Sequence, residues 1–62
     1  MKRSVAFDKA FMIVSKKAKY YPDGVLGLEP VYVVTYDGQH FESNDTHDLV
    51  VAITDYIMKK EK

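Results

Sequence analysis

From Leu49 onward, apolar residues return at intervals of three and four: Leu49, Ala52, Ile53, Tyr56 and Ile57. That spacing lines one side of an α-helix and predicts one over residues 46–60. Lys59 and Lys60 close it, where the partial negative charge of the last turn favours cations. Upstream the period shortens to two. Residues 31–36 (VYVVTY) and 39–43 (QHFES) are β-prone runs joined by Asp37-Gly38, the dipeptide that type I′ hairpin turns prefer. A two-residue turn fixes the register, setting Tyr36 opposite Gln39, Val34 opposite Phe41 and Tyr32 opposite Ser43. Tyr32, Val34, Tyr36 and Phe41 then share one face, the expected core side. Val31, Val33, Thr35, His40 and Glu42 share the other, which is the expected surface for a partner or an additional strand.

The first third of the chain also fits a helix, over residues 5–20. At about 100° per residue, Ala6, Phe7, Ala10, Phe11, Ile13, Val14, Ala18 and Tyr21 gather on one side, while Asp8, Lys9, Ser15, Lys16 and Lys19 gather opposite. Val5 and Met12 fall on the polar side. Ser4 is the expected N-cap. In Tyr21-Pro22-Asp23-Gly24, proline and glycine stand where a type I turn uses them, and Pro22 bars the helix from passing Tyr21. Residues 25–30 (VLGLEP), broken by glycine and closed by proline, read as a loop or a very short edge strand. The predicted fold is α+β: a single small domain over residues 1–62 in the order helix, loop or short strand, β-hairpin, helix. Both helices are expected on one face of the hairpin sheet.

Sixty-two residues lie near the size at which a chain can only just bury enough apolar surface to fold, so a second subunit would relieve the shortage. With no cysteine, neither disulfides nor a thiolate zinc site can supply the missing stability, and a thiol nucleophile is excluded. A hydrophobic fraction of 47% and eight aromatic residues are those of a folded chain. The longest apolar runs, residues 11–14 and 49–53, fall far short of the roughly 20 residues that span a bilayer. Asp8 and Lys9 interrupt any signal-peptide core after Lys2 and Arg3. The expectation is a cytoplasmic protein without a membrane partner.

A formal net charge of zero hides strong segregation. Lys2, Arg3, Lys9, Lys16, Lys17 and Lys19 precede residue 20, and Lys59, Lys60 and Lys62 end the chain. Between Tyr20 and Met58 every charged side chain is acidic. If the ends meet in space, the molecule acquires a basic pole and an acidic flank, which can steer partners or drive self-association.

Residues 40–48 (HFESNDTHD) hold two histidines and three carboxylates, so they are the place to look for chemistry. Asp45, followed three residues later by Asp48 and then by a periodic apolar run, reads as an N-cap with a capping-box partner. His47 then lies in the first helical turn and points to solvent. His40 and Glu42 share a strand face, but His47 and Asp48 diverge by about 100° on a helix and cannot easily share one ion with them. The sequence lacks a zinc-protease His-Glu-x-x-His pattern, a Gly-x-Ser-x-Gly elbow and a phosphate-cradling glycine loop. A chain this short also has difficulty enclosing a pocket of enzymatic size. The reading is a protein that is not an enzyme and uses no cofactor or metal.

The order helix, short strand or loop, hairpin, helix resembles the double-stranded-RNA-binding domain, and residues 32–39 (YVVTYDGQ) look like that family's central hairpin. The resemblance implies a phosphate-gripping lysine cluster at the start of the second helix. Here Asn44, Asp45, Thr46, His47 and Asp48 stand there, which would repel phosphates. Read with a strand in place of the first helix, the same chain would resemble small antitoxins with a partial ribonuclease-H-like sheet. A nucleic-acid role would fall to Lys16, Lys17, Lys19 and Tyr20, where basic and aromatic residues interleave. Zero net charge and few phosphate contacts make that the second choice. The first is a small regulator, inhibitor or accessory subunit that binds another protein through Val31, Val33, Thr35, His40 and Glu42, with self-association expected.

Overall fold

The computed structural model describes residues 1–24 and 29–61. Within them the order is α1 (Arg3–Lys17), β1 (Lys19–Tyr21), β2 (Val31–Tyr36), β3 (Gln39–Ser43) and α2 (Thr46–Lys60). The α+β class holds, with one more strand than the hairpin alone provides. β1, β2 and β3 form one antiparallel sheet in that order, and both helices pack against it.

Asp37 and Gly38, at φ 53° and 75°, make the tight turn that Asp-Gly predicts. The hairpin pairs Tyr36 with Gln39, Val34 with Phe41 and Tyr32 with Ser43, in the register expected from the turn. Val34 is 2% exposed, and Tyr32, Tyr36 and Phe41 pack on the core beside it. The aromatic face is therefore the core face.

α1 departs from its expected bounds at both ends. It begins at Arg3 rather than after Ser4, with Lys2 as an N-cap whose side chain makes no capping bond. The amide N–H groups of Val5 and Ala6 both donate to the Lys2 carbonyl at 3.1 Å. This start brings the Arg3 guanidinium to 2.7 Å from the Asp55 carboxylate on α2. At the other end the helix stops at Lys17, Ala18 turns extended (φ −65°, ψ 134°), and Lys19–Tyr21 becomes β1. Tyr20 and Tyr21 have β propensity, and a residue before proline is pushed toward extended geometry. Pairing with Val31–Val33 then satisfies the segment's backbone groups in a ladder with β2 in place of further helical bonds. Helix over residues 18–20 is thus overturned, as are the place of Tyr21 on its apolar side and the strand-first reading of α1. The turn at residues 21–24 is present, with the Gly24 amide donating to the Tyr21 carbonyl at 3.0 Å. The short edge strand considered for residues 25–30 falls largely on residues 25–28, outside those described.

The helices run antiparallel, since Arg3 meets Asp55 while Phe11 and Ser15 lie beside Thr46 and His47. Ala6, Ala10 and Val14, spaced by four, form a ridge of small side chains that lets α2 approach closely. Leu49, Val50, Ile53 and Ile57 complete the core from α2. Phe11, expected with the core, is instead 57% exposed, because the alanine ridge and not the wider apolar sector faces α2. Thr54 is fully buried, and its hydroxyl is satisfied by the Val50 carbonyl at 2.7 Å.

Candidate functional site

Both helices lie on the Val34 side, so the opposite face of the sheet carries no layer among the described residues. Alternation along the strands places Val31, Val33 and Thr35 of β2 and His40 and Glu42 of β3 on that face, as the hairpin register requires. β1 adds two residues that sequence reasoning missed. Lys19 stands opposite Val33 and Tyr21 opposite Val31, and directly opposed residues share a face. The central row therefore reads Lys19, Val33, Glu42: a cation, an apolar residue and an anion across three strands. A second row sets Tyr21, 40% exposed, beside Val31. The signal for β1 lay in Tyr20-Tyr21-Pro22, which reads as the end of a strand once a continuing helix is set aside.

His40 Nε2 lies 3.4 Å from Glu42 Oε2, with both side chains more than half exposed. His40 and Glu42 are two residues apart on the same edge strand, so the contact follows from strand geometry. His47 sits in the first turn of α2 and borders a depression of about 340 Å³ with Phe7, Phe11, Ser15, Thr46 and Val50. The two histidines are thus on different surfaces, and among the described residues no group of three His, Asp or Glu side chains converges on one point.

The nine-residue stretch resolves as a strand end and a helix start. The Asp45 carboxylate accepts from the His47 amide at 2.9 Å, which is an N-cap bond. The expected capping-box partner is different, however. The Asp45 amide donates to Ser43 Oγ at 3.2 Å, leaving Asp48 in the first turn as a carboxylate beside the positive helix end. Aspartate is one methylene shorter than the Glu or Gln that normally reaches back, and Ser43 is nearer. Asn44 Nδ2 donates to the Glu29 carboxylate at 2.8 Å.

The segment considered for nucleic acid divides at Ala18. Lys16 and Lys17 lie in the last turn of α1, while Lys19 and Tyr21 point to the open face. Tyr20 points to the helix side, where its ring centroid lies 4.8 Å from that of Tyr32. Basic and aromatic groups that alternate in the sequence are therefore distributed over both sides of an edge strand.

The chain ends do approach each other, and they bring opposite charges together. Besides the Arg3–Asp55 pair, Lys60 Nζ and the Tyr56 hydroxyl both donate to the Asp37 carboxylate at the hairpin turn. Lys16, Lys17 and Lys19, in contrast, lie at the far end of α1, so the basic residues occupy two poles and not one. Glu42, Asp45 and Asp48 remain exposed along β3 and the start of α2. No helix among the described residues is long and apolar enough to cross a membrane. Compared with known protein families, with characterised proteins and with solved structures, the chain matches none.

Proposed function

We propose that this protein is a non-enzymatic interaction module, a small regulator, inhibitor or accessory subunit, that binds another protein through the open face of its sheet. The observation that carries this reading is the row Lys19, Val33, Glu42 together with Val31 and Tyr21. An apolar centre between opposite charges suits a protein surface, where the centre supplies affinity and the charged margins set orientation. The exposed carboxylates Glu42, Asp45 and Asp48 extend the surface on one side and favour a partner with basic residues there.

The nucleic-acid reading through Lys16, Lys17, Lys19 and Tyr20 has less support, because Tyr20 is engaged with Tyr32 and Lys19 points to the opposite face. The two readings separate in one experiment. Tagged protein is used for capture from one lysate, divided and taken with and without nuclease treatment, alongside Val33→Glu and the triple change of Lys16, Lys17 and Lys19 to Glu, with circular dichroism to confirm folding. The proposal expects a stoichiometric protein that Val33→Glu no longer retains. Capture of nucleic acid alone, released by salt and abolished in the triple variant, would overturn it.

A further inference from the structure

We infer that the edge of β3 pairs with the edge of β3 in a second copy of this chain, in one register, to form a continuous six-stranded sheet. This goes beyond the interaction reading by naming a second surface of the hairpin, the β3 edge, and its occupant. The argument begins with which backbone groups are free. A two-residue turn makes Tyr36 and Gln39 a hydrogen-bonded pair, so by alternation Val34–Phe41 and Tyr32–Ser43 are hydrogen-bonded pairs too. The N–H and C=O groups of His40 and Glu42 therefore point away from β2. β3 is an edge strand, and neither residue donates a backbone bond elsewhere among the described residues.

The two sheet edges differ in how they are guarded. β1 has three residues, carries Lys19 and runs into Pro22, all features that block strand addition. β3 has five residues, pairs one to one with β2 without a bulge, and contains neither lysine nor proline. It is the edge that can accept a strand.

Two antiparallel copies of β3 must match outward-pointing residues with outward-pointing residues, which leaves three registers. Setting His40 against His40 of the copy, or Glu42 against Glu42 of the copy, forms a single hydrogen-bonded pair within the strands. The second of these also opposes two carboxylates. Setting His40 against Glu42 of the copy forms two such pairs at once, four backbone hydrogen bonds in all. It places an imidazole beside a carboxylate on both sides of the two-fold axis. Phe41 then meets its own copy on the axis, as a non-hydrogen-bonded pair whose side chains come closest. Its ring already packs edge-on against Tyr56, with centroids 5.7 Å apart, so the core would continue across the axis.

The absence of cysteine makes the register directly readable. His40→Cys and Glu42→Cys are prepared separately, both positions being exposed, and each is oxidised alone and as an equal mixture under mild conditions. Directly opposed residues lie about 5.5 Å apart, within disulfide reach, whereas the offset copies of one position do not. The expected result is a disulfide-linked dimer in the mixture and at most traces in either variant alone. Cross-linking of His40→Cys alone or of Glu42→Cys alone, or no cross-linking with a monomeric mass for the unmodified protein in light scattering, would overturn the inference. As a second check, Glu42→Pro removes an outward N–H without touching the β2 ladder, and it is expected to give a folded monomer. A dimer that persists in Glu42→Pro counts against the edge. Capture of a protein that depends on Val33 tests the open face independently, so either idea can fail without the other.

Discussion

Replacing Asp45 by alanine distinguishes a helix cap from a functional carboxylate. The Asp45 side chain accepts a single bond, from the His47 amide at 2.9 Å, while its own amide is held by Ser43. Alanine removes the first contact and leaves the second, which involves only the backbone of residue 45. Loss of an N-cap of this kind costs about 1 kcal/mol, within a range of roughly 0.5–2. Against a total stability of roughly 3–9 kcal/mol for a domain of this length, the variant stays folded. In a thermal melt followed by circular dichroism, that loss corresponds to a fall in Tm of about 4–8 °C. Asparagine caps about as well as aspartate, so Asp45→Asn should remain within a few tenths of a kcal/mol of the parent, less a small contribution from its charge at the helix end. The decisive quantity is the gap between the two variants. Equal Tm values for Asp45→Ala and Asp45→Asn would refute the capping argument. Loss of partner binding in Asp45→Asn at unchanged Tm would show that the charge itself is recognised.

Ile53→Ala, at the fully buried centre of α2, should cost about 2–5 kcal/mol, a large part of the stability available to so small a domain. A urea titration would check this, and a change below about 1 kcal/mol would mean that Ile53 is not packed as described. Addition of zinc should leave the Tm unchanged, in the unmodified protein and in His40→Ala alike. A zinc-dependent rise abolished by His40→Ala would instead reveal a site built on His40 and Glu42.

Where the chain announced its structure, local chemistry and tertiary packing agreed. Asp37-Gly38 fixes the register without help from the rest of the fold, and Leu49, Ile53 and Ile57 are buried as their spacing predicts. Ala52 of the same predicted set is exposed, because the buried side of α2 is turned toward Val50 and Thr54 instead. The first 21 residues were harder to read because two preferences compete there. Lys16 to Tyr21 can continue a helix by period, yet Tyr20-Tyr21-Pro22 also suits a strand, and the choice depends on Val31–Val33 being free to pair. That pairing is non-local, so no window on the sequence contains it. The same omission hid the β1 margin of the open face. Val31, Val33, Thr35, His40 and Glu42 were assigned to it from the hairpin alone, whereas Lys19 and Tyr21 joined only once β1 was in place. Phe11 was misplaced for a different reason: periodicity identifies an apolar sector but not which part of it the neighbouring helix will cover.

The joint at Ala18 has a consequence for how this protein can vary. A single extended residue separates the last turn of α1 from the first residue of β1, so the connection holds no slack. Inserting or deleting one residue there would either carry Lys19 and Tyr21 to the helix side and Tyr20 to the open face, or shift the strand against β2. Length changes at this position are therefore tolerated only in steps that preserve the parity of the strand. The identity of the open face is set at this point by counting residues, independently of which side chains occupy it.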